Sequence, residues 1–277
     1  GSIAMNALRG QHSLVVHDLD RSRAAALEEA GAVWAASPAE AAAGAEVILL
    51  SLPGPPEFEA VMLGEGGLFD VVEAGQAIFD LTTNSPSVVR RVAAQFAEKG
   101  VAVCDAPVSG GPQGAKSGKM AVWVGGDEGA YEKFLPVIRA ISDQPRYIGP
   151  VGAGAIAKLV HNLSGYVLSA ALAETFTMGV KAGLEPEALW EAVRQGALGR
   201  RRIFDSIALQ YLPGRFDPPD FALALARKDV ALACEVGREF DVPMRLSHLT
   251  LAEMTEALNR GWAGRDSRTM MLLQEER

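Results

Sequence analysis

"AIFDLTTNSPSVVRRVAAQFAEKGVAVCDAPV", residues 77–108, decides the fold. Its two ends, "AIFDLTT" and "VAVCDAPV", are nearly continuous apolar runs, and an amphipathic helical pattern, "SPSVVRRVAAQFAEKG", lies between them. Strands without polar alternation are buried on both faces. A strand–helix–strand unit of this kind predicts a parallel sheet covered by helices on both sides.

The same alternation extends outward. "SLVVHD" (13–18) and "EVILLSL" (46–52) read as strands, and "RSRAAALEEAG" (21–31) and the stretch around "PEFEAVML" (56–63) as helices. After residue 108, "DAPVSGGPQGAKSGKM" (105–120) breaks the pattern with four glycines and two prolines. "MAVWVGG" (120–126), the helix "DEGAYEKFLPVIRAI" (127–141) and "RYIG" (146–149) then extend the sheet.

In such folds ligands bind beyond the carboxyl ends of the strands. Read in order, those ends are Asp18, Leu52-Pro53-Gly54, Thr82-Thr83-Asn84 and Ser109-Gly110-Gly111, gathered along one edge of one sheet. An acid, a Pro-Gly turn, hydroxyls and a glycine pair outline a cleft for a polar ligand. The bare backbone around Ser109 suits close approach by something other than protein; an irregular β-connection is the other reading. The chain opens on "GSIAMNAL", a helix already under way, and contains no GxGxxG fingerprint. Either Gly1 is the last glycine of such a turn, with one strand before it, or Gly1-Ser2 is a remnant of cloning.

From about residue 153 strand signals stop and helical periodicity runs to the end. This places a dinucleotide-binding domain at 1–150 and a helical domain at 151–277. The first helix, "AGAIAKLVHNLSGYVLSAALAETFTMGVKAG" (153–183), is roughly 45 Å long. Being apolar on all sides, it must be buried, in its own domain or against a partner subunit. Lys158 sits at its start with Asn162 one turn later on the same face, and Gly154 one turn earlier leaves that face open for a ligand. Desolvation of a lysine there lowers its pKa toward the range useful for proton transfer. The alternative is a lysine that extends to solvent.

The composition bounds the partners. The 277 residues are 49% hydrophobic and 22% charged, a globular balance with room for two domains. A net charge of −8 argues against nucleic acid or an anionic membrane as partner. Two cysteines, Cys104 and Cys234, lie far apart, which fits a reducing cytoplasm and gives no disulfide framework. Four scattered histidines lack ligand spacing, so no metal is expected. No signal peptide opens the chain, and the uncharged stretch 159–173 is too short and polar to span a bilayer. Cys104, Trp123 and Trp190 are assigned to packing.

Several of these segments resemble the β-hydroxyacid dehydrogenases, the group of 3-hydroxyisobutyrate dehydrogenase, tartronate semialdehyde reductase and relatives of 6-phosphogluconate dehydrogenase. "DAPVSGGPQGAKSGKMAVWVGG" is similar to the family's substrate-binding signature and "GAGAIAKLVHN" to its catalytic segment. "DLTTNSP" matches its D-x-[ST]-T-x-S-P, "FALALARKDVALA" (221–233) its F-x3-L-x2-K-D-x2-LA, and "GRDSRTMM" its terminal Asp-x-Ser region more loosely. The likeness covers essentially the whole chain in the right order. It implies a Rossmann-like doubly wound α/β sheet, its first strand missing from this chain, followed by an all-helical domain.

The resemblance also implies roles. Lys158 would be the general acid and base, and Asn162 would hold the substrate or the lysine. Ser109, Gly110 and Gly111 would bind the substrate carboxylate through main-chain donors, a concave anion site that a Cβ would obstruct. Gly1, Met5, Asn6, Asp18, Leu52, Pro53 and Thr83 would contact the dinucleotide, and Lys228 would close over its nicotinamide side. An acid after the second strand of the family's sheet accepts hydrogen bonds from the adenosine ribose and repels a 2′-phosphate, so Asp18 favours NAD; Arg21 and Arg23 keep NADP possible. Where relatives carry a Ser-rich segment, this chain has "GALGRRRIFD", and Arg200, Arg201 and Arg202 either face a second anionic group of the substrate or end a solvated helix.

The function these residues point to is hydride transfer between NAD and a small 3-hydroxy acid or its semialdehyde, in the cytoplasm. Imine or enamine reduction on the same scaffold is an alternative, disfavoured because such relatives usually have another residue at the position of Lys158. A non-catalytic dinucleotide sensor is the third reading. The partners expected are a small carboxylate substrate and further copies of this chain, as a homodimer or tetramer built through the helical domain.

Overall fold

The computed structural model describes residues 1–200, 207–211, 213–239 and 241–276, and the chain divides into two units, Gly1–Leu163 and Ser164–Arg277. The first unit holds eight strands: β1 Val15–Val16, β2 Val33–Trp34, β3 Val47–Leu50, β4 Ala77–Asp80, β5 Ala102–Asp105, β6 Val108–Ser109, β7 Ala121–Gly125 and β8 Gln144–Gly149. Between them run α1 Ser2–Arg9, α2 Ala25–Glu29, α3 Pro38–Ala42, α4 Pro55–Leu63, α5 Leu68–Val71, α6 Pro86–Ala97, α7 Gly111–Ser117 and α8 Glu128–Ile141. Strands β3, β4 and β5 pair in parallel, Val47 with Ala77 and Ala77 with Ala102.

Alternation along these strands feeds two cores. Phe79, Cys104, Val122 and Val124 point to the side covered by α1 and α8, where Ala7, Phe134, Ile138 and Ile141 meet them. Ile78 and Val103 point to the other side, against Phe58 and Met62 of α4 and Val89, Val92 and Phe96 of α6. The α6 stripe follows from its sequence: Val89, Val92, Ala93 and Phe96 recur at helical spacing and all are buried. Each fully buried large side chain contributes about 1.5–3 kcal/mol. Strand β4, apolar on both faces, is buried at every residue, which is the doubly covered sheet expected from residues 77–108.

Three details depart from the sequence reading. The glycine-rich run is not an irregular connection, because Gly111–Ser117 forms helix α7 with Pro112 in its first turn and Gly118 closing it in the left-handed conformation. Strand β7 runs antiparallel to β5 and β6, and β8 parallel to β7. The strand ends also do not lie along one edge of one sheet. Asp18 follows β1, which pairs only with β2 as a separate two-stranded sheet, and the larger sheet is ordered β3-β4-β5-β7-β6 with β8 on β7. Ser109 closes β6 rather than β5, since Ala106-Pro107 interrupts the run, and a proline has no N–H for the ladder.

Helix α9, Ala153–Lys181, contributes Ala153–Leu163 to the first unit and its remainder to the second. The second unit continues with α10 Pro186–Gln195, α11 Ala197–Arg200, a π-helical turn at Ile207–Tyr211, α12 Leu223–Glu239, α13 Arg245–Ala257 and α14 Leu272–Glu275. Its core is Leu223, Ala226, Met254, Ala257 and Leu273. Two carboxylates tie it together. Glu174 accepts from the Leu246 and Ser247 main-chain N–H at 2.8 and 3.2 Å, at the start of α13. Buried Asp266 accepts from the N–H of Asp220, Phe221 and Arg268 at 2.9, 3.3 and 3.0 Å, and from the Arg268 guanidinium at 3.1 Å.

Along helix α9, Leu159, Val160, Leu163 and Val167 are between 43% and 63% exposed, so the apolar surface expected to be buried includes exposed side chains. Trp190 is not a packing residue either; it is half exposed beneath the Arg194 guanidinium. Cys104 and Cys234 are both buried and unpaired, one in each unit. Among the described residues no helix is long and apolar enough to cross a membrane.

Candidate active site

The start of α9 is fixed to the sheet by a carboxylate. Asp105, the last residue of β5, is 1% exposed, and its two oxygens accept the N–H of Gly152 at 2.7 Å and of Ala155 at 2.6 Å. It thereby satisfies donors that a helix N-terminus leaves without intrahelical partners. Burial raises the Asp105 carboxyl above the usual carboxylate range, although the Gly152 and Ala155 donors pull it down. This close seating requires glycine. A Cβ on Gly154 would stand 2.3 Å from the Trp123 carbonyl oxygen and 2.5 Å from that of Asp105. Gly154 is therefore a contact between helix and strand ends, and it does not leave a face open for a ligand.

One turn further along, Lys158 is half-buried and engaged in no hydrogen bond or ion pair among the described residues. Desolvation lowers its pKa below the ordinary lysine value of 10.5. Asn162, half-buried, lies four positions on and on the same side of the helix. Between them comes a residue that the sequence reading set aside among scattered histidines. His161 Nε2 is 3.0 Å from Ser109 Oγ, and its ring lies 5.2 Å from that of Trp123. This contact brings the Lys158 side of α9 together with the Ser109-Gly110-Gly111 turn. Gly110 and Gly111 have φ of 142° and 60°, conformations that side chains resist, and a Cβ on Gly111 would meet nothing within 4 Å. The turn thus presents open main chain at Gly111 beside the start of α9, whereas a Cβ on Gly110 would stand 3.2 Å from the Lys119 carbonyl oxygen.

The residues expected at the dinucleotide divide into outward and inward groups. Thr83 and Pro53 are exposed just beyond β4 and β3, and Asp18 lies two residues beyond β1. Their neighbours are structural: Thr82 Oγ1 accepts the Leu52 N–H at 3.0 Å, and buried Asp80 accepts from the Thr82 N–H and the Asn84 amide at 3.0 and 2.8 Å. Asp18 accepts the Asp20 N–H at 3.0 Å and stands 3.9 Å from Arg23. Arg21 is paired with Glu28 and lies over Trp34. Asn6 is buried and donates to the Ala115 carbonyl at 2.7 Å, so its amide holds α1 to α7. Gly1 and Met5 instead line a cleft of about 390 Å³, together with Arg9, Arg23 and Lys116, and three cations along one cleft suit an anionic group.

Lys228 falls on α12 in the second unit, and its side chain lies outside what is described. Arg200 is exposed at the end of α11; Arg201 and Arg202 lie outside the described residues. No group of three or more potential metal ligands occurs among the described residues. Asp105 and His161 are the two residues that sequence reasoning missed. The signals were an acid closing a wholly apolar strand, and a histidine directly before Asn162 and three positions after Lys158.

Residues 1–149 match the family model of the NAD-binding domain of 6-phosphogluconate dehydrogenase, and residues 152–273 match that of the NAD-binding region of NADP-dependent 3-hydroxyisobutyrate dehydrogenase. A 2-(hydroxymethyl)glutarate dehydrogenase of Eubacterium barkeri is 35% identical over 88% of this chain and 81% of its own. An NAD-dependent L-serine dehydrogenase of Pseudomonas aeruginosa is 32% identical over 95% and 90%. An imine reductase from a Pseudomonas species covers 98% of this chain and 93% of its own with a TM-score of 0.79, and at 16% identity it shares the fold alone.

Proposed function

The chain belongs to the β-hydroxyacid dehydrogenase family, and we propose that it transfers a hydride between NAD and a small 3-hydroxy acid of the 3-hydroxyisobutyrate kind, or the matching semialdehyde. It is an NAD(P)-dependent dehydrogenase by family. The observation that carries the substrate chemistry is Lys158: half-buried, without a partner among the described residues, and lowered in pKa by desolvation. A lysine whose ammonium form is disfavoured by desolvation, set one turn from Asn162 and beside the Ser109 turn, suits proton transfer at a substrate hydroxyl.

The residues present fit a dinucleotide. A Cβ on Gly1, at the start of α1, meets nothing within 4 Å, and Pro53 and Thr83 stand exposed past their strands. Asp18, Pro53 and Thr83 would hold the cofactor, which supplies the hydride acceptor when bound. In oxidation, the Lys158 amine takes the hydroxyl proton as the C–H electron pair departs with its hydrogen, leaving a carbonyl and an ammonium. In reduction, the ammonium returns that proton to the carbonyl oxygen. Main-chain donors of Gly110 and Gly111 and the Ser109 hydroxyl hold the substrate carboxylate, and Asn162 orients the hydroxyl against Lys158. Asp18 favours NAD through the ribose. Of the two arginines that would accommodate a 2′-phosphate beside it, Arg21 is paired with Glu28, and Arg23 with Asp20 and, at 3.9 Å, with Asp18 itself.

A screen of 3-hydroxyisobutyrate, glycerate, 4-hydroxybutyrate and threonate with NAD and NADP tests this reading. Turnover of one of them with an NAD preference is expected; turnover of none removes it. A second copy of this chain covers α9. The support is the run Leu159, Val160, Leu163 and Val167, exposed in one chain and uninterrupted by charge between 159 and 173. Light scattering should show a dimer or tetramer at micromolar concentration; an active monomer would refute the assembly without touching the chemistry.

A further inference from the structure

Ser109 has one proton and two partners to satisfy. Its Oγ is 3.0 Å from His161 Nε2, and the proposed function also asks it to donate to a substrate carboxylate. A hydroxyl donates once and accepts twice. If Ser109 donates to the imidazole, it meets a carboxylate with lone pairs only and repels it. If Nε2–H donates to Ser109, the serine proton is left for the carboxylate. The direction of one hydrogen bond therefore decides whether Ser109 attracts or repels the anion.

We propose that His161 is a positioning residue: it donates Nε2–H to Ser109 Oγ and so presents the serine as a donor to the substrate carboxylate. The inference rests on Ser109 being at that carboxylate. The surroundings suit the role. The Trp123 ring, tilted 51° to the imidazole at 5.2 Å, holds the plane of His161 from strand β7. No residue among those described binds Nδ1, so no competing bond fixes the proton on the other nitrogen. The position between Lys158 and Asn162 on α9 places the same imidazole where it couples the carboxylate turn to the helix that carries the base.

The test is a set of four variants assayed with the hydroxy acid that the screen above identifies. Ser109→Ala should raise KM about fivefold to tenfold, the loss of one hydrogen bond. His161→Leu, which removes the donor, should raise KM by the same factor and leave kcat within about twofold. His161→Gln, which restores an N–H at similar reach, should recover most of the loss. The double variant Ser109→Ala/His161→Leu should be no worse than either single change, because both remove the same donor. Titrating the tryptophan fluorescence with the acid, with Trp123→Phe as the control that identifies the Trp123 share, should follow the KM values, and circular dichroism checks that His161→Leu folds. If Ser109→Ala raises KM and His161→Leu does not, or if the two effects multiply in the double variant, the positioning role is wrong. If Ser109→Ala itself leaves KM unchanged, the carboxylate assignment fails first.

Discussion

Each unit is fastened by a buried aspartate that gathers main-chain N–H groups, and the two aspartates titrate in opposite directions. In the sheet unit, Asp105 takes two close donors and no cation, and burial raises its pKa. In the helical unit, Asp266 takes three N–H groups and the Arg268 guanidinium, and these donors hold its pKa down against burial. The motif is the same and the sign differs because desolvation outweighs the donors at Asp105, whereas at Asp266 the Arg268 and Phe221 N–H groups, the Arg268 charge and the Asp220 N–H together outweigh it. By linkage, the contribution of Asp266 is present above the ordinary aspartate value of 3.8 and is lost as pH falls through its lowered folded value. That of Asp105 is complete below the ordinary value and weakens as pH rises through its raised one. Acid therefore loosens the helical unit first, while the base-bearing end of α9 keeps its anchor.

The most drastic way to break this contrast is Asp266→Ala. It strands three N–H groups and a guanidinium, and should cost about 3–5 kcal/mol. Urea unfolding read on the second unit measures it, and the difference from the parent should shrink as pH falls below 3.8; a constant difference would mean that the aspartate is not held as an anion. Lys158→Ala should lower kcat by roughly a hundredfold or more, about 2.7 kcal/mol, with little change in cofactor affinity or unfolding midpoint. The oxidation rate should rise with pH along a limb below the ordinary lysine value of 10.5, and the reduction rate should fall along it. Near-normal turnover of the alanine variant would remove the mechanism.

Gly154→Ala sharpens the sheet-unit side of the comparison. Its Cβ cannot coexist with the carbonyl oxygens of Trp123 and Asp105, so the start of α9 must shift, at about 1–3 kcal/mol. A kcat loss should accompany that destabilisation; loss of stability with unchanged kcat would separate the anchor from the chemistry. The smallest effect is reserved for exposed Asp18. Asp18→Asn should move the NAD/NADP ratio of kcat/KM toward NADP by about threefold to tenfold, the worth of an exposed hydrogen bond or two. An unmoved ratio would take Asp18 away from the ribose.

What could be read from the sequence was what periodicity encodes. The run Val89, Val92, Ala93 and Phe96 and the unbroken burial of β4 follow from residue spacing alone, and so does the change to helices after residue 153. Strand direction was not legible, since a buried strand reads alike in either sense, and β7 proved antiparallel. Helix α7 was hidden by its glycines and proline; it is held from outside, by the Asn6 amide on the Ala115 carbonyl. In the site, Lys158 stood out because a charge entering an apolar helix is costly. His161 did not, because its meaning lies in Ser109, 52 positions away.

The two cysteines have a use beyond packing. Cys104 is fully buried in the first unit, its thiol pushed up to about 12 by burial, and Cys234 is 2% exposed in the second, also raised. With no other thiol in the chain, a water-soluble alkylating reagent has nothing to attack in the native state. Modification then reports opening, and because each unit holds a single thiol, peptide mass spectrometry can time the two openings separately in one sample. The chain carries a built-in pair of clocks, one for the sheet and one for the helices. If Asp266 is the acid-sensitive fastening, lowering the pH below 3.8 should bring forward the opening at Cys234 and leave that at Cys104 behind, read there with a pyridyl disulfide, which stays reactive toward thiols in acid.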